Sequence, residues 1–180
     1  FPWIVTWDDH EVDNNYAALI PEDGQTAQAF FERRRNAYRV YRESMPLAPR
    51  VRLRQGSMEL YRQLNFGNLA TLNVLDTRQY RSDQPCGDGL VVLQTCPDIL
   101  NPAATLLGAE QEAWLFERLQ RSRATWNVLA QQIMLMRWDL GVLTGQPVNF
   151  FNVDAWDGYQ VARDRLTQFL GDAHIRNPVV

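Results

Sequence analysis

Pro2-Trp3-Ile4-Val5-Thr6-Trp7-Asp8-Asp9-His10-Glu11-Val12-Asp13-Asn14-Asn15-Tyr16 is the most informative stretch of this chain. Residues 2–7 are apolar apart from Thr6 and read as a short buried strand. The ten residues from Trp7 to Tyr16 are the reverse: five are acidic or histidine and two more are asparagine. An apolar strand running straight into a polar turn is the α/β way of placing a site, because functional loops sit on rigid strand ends. Packed carboxylates repel one another unless a cation offsets them. Carboxylate and amide oxygens are also the donors that hard cations such as calcium take. A histidine beside such a group can be held protonated and donate to a leaving oxygen. The same ten residues also suit an acidic surface loop with helix-capping aspartates, and spacing alone leaves both readings open.

Around this turn the chain has the makings of one domain. It has 180 residues, 46% hydrophobic and 22% charged, enough apolar surface to exclude disorder as the main state. Its most apolar stretches, 51–53, 69–75 and 133–136, fall far short of the ~20 residues a bilayer demands. A net charge of −3 and a pI near 5.4 argue against a dedicated nucleic-acid binder. All 18 basic residues are arginine. The chain opens without methionine on a strand-like run. It closes on Asn177-Pro178-Val179-Val180, which reads as the start of another strand. The expectation is a piece of a longer protein.

Strand and helix alternate along the rest. Thr26 is placed to cap a helix running to Ser44, ahead of Pro46. Its arginines, Arg33, Arg34, Arg35, Arg39 and Arg42, read as a solvated face. Residues 58–66 and 69–75 read as strands joined at Asn65-Phe66-Gly67-Asn68. A long irregular stretch, 77–107, holds both cysteines. A helix is expected over 109–121, a strand over 125–134, a loop over 141–156 and a helix capped by Asp157 through Leu170. The fold class is α/β.

The chain resembles the PhoD-type alkaline phosphatases. Thr6 to Tyr16 carries their signature. The likeness continues through Phe31-Glu32-Arg33-Arg34-Arg35-Asn36-Ala37-Tyr38, Leu75-Asp76-Thr77-Arg78-Gln79-Tyr80-Arg81 and Leu107-Gly108-Ala109-Glu110-Gln111. It returns at Trp126-Asn127-Val128-Leu129-Ala130-Gln131-Gln132 and Trp156-Asp157-Gly158-Tyr159. The resemblance implies a secreted or periplasmic hydrolase of phosphate monoesters and diesters that uses iron with calcium. It also implies part of a four-layer metallophosphoesterase-like fold, two packed mixed sheets flanked by helices. Residues 1–180 would then be the central part of one catalytic domain, without the flanking segments that carry the family's remaining ligands.

The superfamily's Gly-Asn-His-Glu/Asp motif falls on residues 8–11. Asp9 takes the place of the metal-binding asparagine and His10 that of the histidine contacting the phosphoryl group or leaving oxygen. Asp8 stands at the glycine and is a second metal candidate, and Glu11 orients the turn. Gln131 and Gln132 lie where the superfamily places a metal histidine; each suits a calcium ligand or a structural amide. Arg78 suits a bidentate phosphate contact or a brace to Asp76. The implied chemistry is cations polarising a phosphoryl group and activating hydroxide. The family context also implies a disulfide between Cys86 and Cys96, which spacing alone leaves as bridge or free thiols. Trp156 is the candidate substrate-side wall and His174 a helix-end residue. Phosphoesters are the expected partners. The alternative is a non-catalytic α/β fragment binding calcium weakly; a third reading is an anion-binding module built on the arginine helix.

Overall fold

The structure, a computed structural model, describes residues 3–22, 24–89, 91, 92, 96–137, 145 and 151–180. The first helix, α1 (Ala27–Ser44), begins as its sequence dictates: the Thr26 hydroxyl accepts the Ala29 N–H at 3.2 Å. Its buried side chains are Phe30, Arg34, Tyr38 and Tyr41. Two short strands follow, β1 (Leu53–Arg54) and β2 (Ser57–Met58), turned through Gln55 and Gly56 at positive φ. A Cβ at Gly56 would meet the ring of Phe31, so only glycine fits there.

The hairpin β3 (Arg62–Phe66) and β4 (Ala70–Val74) pairs Leu64 with Leu72 across an antiparallel ladder. The chain then passes β5 (Val91–Val92) and α2 (Gly108–Arg121), and returns as β6 (Trp126–Ala130) parallel to β4. After β7 (Phe151–Asn152) and α3 (Gln160–Asp172), β8 (Pro178–Val179) adds parallel to β6. The main sheet thus runs β3-β4-β6-β8, mixed, with β3 at one edge. One aliphatic core lies under α2 and α3 (Leu75, Leu106, Leu115, Leu129 and Leu166), and Phe116 stacks on Phe169 at 3.9 Å to join the helices. A second, aromatic core joins Trp7, Tyr16, Phe30 and Tyr38 beneath α1. Each such buried side chain contributes about 1.5–3 kcal/mol.

The α/β reading holds, and the described residues make one four-stranded sheet together with two two-stranded ladders. Several local expectations are corrected. Residues 3–7 carry no strand ladder, and Trp3 and Ile4 are exposed. Side chains take the ladder's role there: Val5 O accepts from Arg62, and Trp7 O accepts from Gln132. The expected 58–66 strand begins only at Arg62, because Met58 pairs back onto β1 and bonds the Gln79 amide. The expected 125–134 strand stops at Ala130, opposite the end of its partner at Val74. Asp157 does not cap α3; it falls in a 3-10 turn, Trp156–Gly158, and takes the Arg163 guanidinium at 2.6 Å. Arg34 is not on a solvated face, being 3% exposed with its guanidinium donating to Ala18 O and Gly56 O. Most of the expected 141–156 loop lies outside the described residues.

Candidate active site

Three loops meet beyond the carboxyl ends of the parallel strands β4 and β6, where open α/β sheets place their sites. The first is the acidic turn. Trp7 anchors its start by stacking on Tyr38 at 4.0 Å. The Glu11 carboxylate accepts the Asp8 N–H at 2.8 Å, and Asp9 O accepts the N–H groups of Val12 and Asp13. Asn15 sits at φ 52°, and its N–H donates to Asp9 Oδ2 at 3.0 Å. The turn is therefore shaped by its own acids, with Glu11 as the orienting residue.

The second loop, 76–81, leaves β4 through a turn built on Asp76. That carboxylate accepts the N–H groups of Arg78 and Gln79 and the Gln79 side-chain amide. Its complete burial pushes the Asp76 carboxyl above its ordinary value. Gln111, from α2, clips the loop down by accepting the Asp76 N–H and donating to the Asp76 carbonyl. The third loop follows β7, where Asn152 Oδ1 accepts the Asp154 N–H at 3.0 Å.

Arg78 joins all three. Its guanidinium donates twice to Asp154 at 2.6 Å and, through Nε, to Asp8 at 2.7 Å; Asp9 lies 3.8 Å from Nη2. Arg81 donates to the same Asp154 at 2.8 Å and to the Tyr159 hydroxyl. Burial draws Asp154 upward, but Arg78 and Arg81 outweigh it and hold this carboxyl below the usual range. Asp8, with one arginine contact, is raised, chiefly by burial. Two guanidinium charges thus face three carboxylates, leaving one negative charge over. Asp9 is the acid with no arginine in hydrogen-bond reach, although it is only 7% exposed.

The expected site residues are thereby separated. Asp8 and Asp9 border Arg78, whereas the His10 side chain is 81% exposed with Nε2 3.8 Å from Asp9 Oδ2. Arg78 is not braced by Asp76 through its guanidinium; only its backbone N–H reaches that acid. The Gln132 amide oxygen accepts from Thr77, and its nitrogen donates to Thr6, Trp7 and Leu75; the Gln131 oxygen accepts from Trp156. Both amides fasten loops. Trp156 is 1% exposed and lies in the aliphatic core, so it forms no substrate wall. His174 is exposed beyond the end of α3. Cys86 and Cys96 are bonded, with Cα atoms 5.5 Å apart. Asp154, Arg81 and Tyr159 escaped the sequence reading. The one local sign was Asn152 two residues before Asp154, a pattern that turns the backbone.

A metal has no complete cage here. Among the described residues no group of three or more His, Cys, Asp or Glu side chains is arranged to hold one. The three acids that converge do so on Arg78, whose guanidinium fills the space a cation would take. The described residues alone therefore do not fit a metal centre.

A mixed sheet flanked by helices, with acid-rich loops beyond its parallel strands, belongs to the metallophosphoesterase-like class of α/β folds. Within that class the chain belongs to the PhoD-like phosphatase family, whose model matches residues 1–180. Alkaline phosphatase D of Bacillus subtilis (strain 168) is 49% identical over 180 residues, all of this chain and 30% of that protein. The solved structure of PhoD superposes with a TM-score of 0.90 at 48% identity, covering 99% of this chain and 33% of the other. The chain spans about a third of the length of these relatives.

Proposed function

We propose that the protein hydrolyses phosphate monoesters and diesters with metal ions, calcium and iron being those the family resemblance implies, and that this chain supplies part of the reacting centre. The observation that carries the reading is the uncompensated negative charge at Arg78. Asp9 is buried, and among the described residues its Oδ1 accepts no hydrogen bond, Arg78 Nη2 standing 3.8 Å away, which suits a cation. Asp8 is the second carboxylate and is half-exposed. Residues elsewhere in a protein as long as its relatives would complete the cage.

His10 stands at the exposed rim, where it can stabilise charge or protonate a leaving oxygen. Arg78 meets a phosphoryl oxygen at its Nε edge, where Asp8 is the displaceable partner; Asp154 stays to neutralise it. The Cys86–Cys96 bond suits a secreted or periplasmic setting, since disulfides persist in oxidising compartments. No helix among the described residues is long and apolar enough to cross a membrane.

The test is hydrolysis of an activated aryl phosphodiester and its monoester by the full-length protein, with calcium and iron added. Asp9→Ala and His10→Ala are expected to lower turnover by at least about a hundredfold each, the scale of losing a key electrostatic group. Wild-type turnover in both variants overturns the assigned site. The incomplete ligand set favours the second reading for residues 1–180 taken alone: a folded segment that binds calcium weakly and turns over nothing. Robust metal-dependent turnover by those residues alone excludes that reading.

A further inference from the structure

Tyr80 lies between Arg78 and Arg81 in sequence but lines a different space, an open cavity of about 720 Å³ to which none of the residues around Arg78 contributes. That volume falls within the range of small-molecule sites, roughly 300–1,000 Å³. Arg50, Arg52, Arg54, Arg62 and Arg118 line it, against a single acid, Glu59. Arg50, Arg52 and Arg54 recur at every second position of the segment entering β1, as residues sharing one face of an extended chain do. Arg62 is fixed in the wall by donating to Leu60 O and Val5 O. The aromatic part of the wall is rigid: Tyr61 meets Tyr80 edge-on at 5.6 Å and Trp114 at 5.0 Å.

The clustering runs against the electrostatics of the rest of the chain. Net charge is −3. Several other arginines are matched by acids: Arg33 by Asp13, Arg121 by Glu117, Arg163 by Asp157 and Arg165 by Glu112. The five cavity arginines make no ion pair among the described residues. Like charges within a Debye length, about 8 Å at physiological salt, repel one another. Burial, and to a lesser degree Arg50, depress the pKa of Arg62 below the ordinary arginine value. A bound polyanion relieves that repulsion. Guanidinium is the group whose planar fork matches phosphate oxygens, and five forks exceed what one phosphate can engage.

We propose that this cavity binds a ligand carrying two or more phosphate groups, at a site separate from the Asp8–Asp9 turn. Binding here goes beyond the hydrolytic reading and does not depend on turnover. Calorimetric titration of the full-length protein with inorganic tripolyphosphate, at about 0.15 M salt, tests it. Saturable binding is expected, weakening steeply as salt rises. The Arg52→Ser/Arg54→Ser double variant should bind at least about tenfold more weakly, the loss of one or two charge-assisted contacts. Two controls fix the location. Arg35→Ser/Arg39→Ser removes the same charge from the exposed face of α1 and should bind like wild type, as should Asp9→Ala. Chelation of metal by the probe is common to all four proteins and cancels in the comparison. Absence of saturable binding in the wild type overturns the proposal. So does an Arg52→Ser/Arg54→Ser variant that binds like wild type, an α1 control weakened to the same degree, or loss of binding in Asp9→Ala.

Discussion

Two sets of arginines in this chain could hardly differ more. Arg78 and Arg81 are 1% and 2% exposed and are both held by carboxylates: Asp154 clamps the two, Asp8 takes the remaining edge of Arg78, and Asp9, 3.8 Å from Arg78, is the acid left over. Arg50, Arg52 and Arg54 are exposed, converge on one cavity and have no acid bound to them among the described residues. Arg34 stands between these extremes, buried but served by carbonyl oxygens, the Ser57 hydroxyl and the Tyr38 ring rather than by a carboxylate. The difference teaches how burial sets the job of a charge. Out of water a guanidinium must be matched on the spot, so it fixes loops. In water it keeps its charge available for a ligand.

Substitutions should break the molecule in that order. Asp154→Ala leaves buried Arg81 without a carboxylate and Arg78 with Asp8 alone, and loss of one partner of such a group costs about 3–5 kcal/mol. Thermal unfolding is expected roughly 10 °C below wild type, from about 2–4 °C per kcal/mol at this chain length. A variant with wild-type stability removes Asp154 from the centre of the site.

The pH dependence of stability sharpens the same point. The folded-state pKa of Asp154 is depressed, so its contribution is fully present above the ordinary aspartate value, about 4, and is lost as pH falls through the lower folded value. Asp8 and Asp76 are raised chiefly by burial and act in the opposite sense. Denaturant unfolding from pH 7 to 3 should therefore show the Asp154→Asn deficit shrinking toward the acid end. A deficit constant over that range refutes the charge pairing.

Arg34→Leu is the intermediate case. It leaves Ala18 O and Gly56 O without their donor, each worth about 1–3 kcal/mol when left buried and unmatched. Its denaturation midpoint should fall between those of Asp154→Ala and wild type. Arg52→Ser/Arg54→Ser is the smallest: exposed and unpaired, it should keep stability within about 0.5 kcal/mol of wild type. A large loss there would mean the cavity arginines hold the fold together rather than await a ligand.

Much of the local structure was legible because it is decided within a few residues. Thr26 caps α1 through a bond three residues away, Gly67 turns the β3–β4 hairpin at φ 55°, and Glu11 folds the acidic turn by reaching back to Asp8. Within the candidate site the sequence yielded Asp8, Asp9 and Arg78 as a neighbourhood, through the order of motifs along the chain. It did not yield their partner. Asp154 lies 76 positions from Arg78, and nothing in its local pattern marks it as the acid that neutralises two arginines.

The sequence by itself determined the alternation of helix and strand, the ligand-rich turn and the family, because short-range hydrogen bonds and side-chain periodicity are written in neighbouring residues. Only the tertiary structure decided which charges are buried. It took Arg34 out of solvent, sank Trp156 into the core, left His10 outside and let side chains replace a ladder at residues 3–7. The reason is physical. Desolvation depends on what packs around a group from distant parts of the chain, and a charge's partner is whichever acid the fold carries to it.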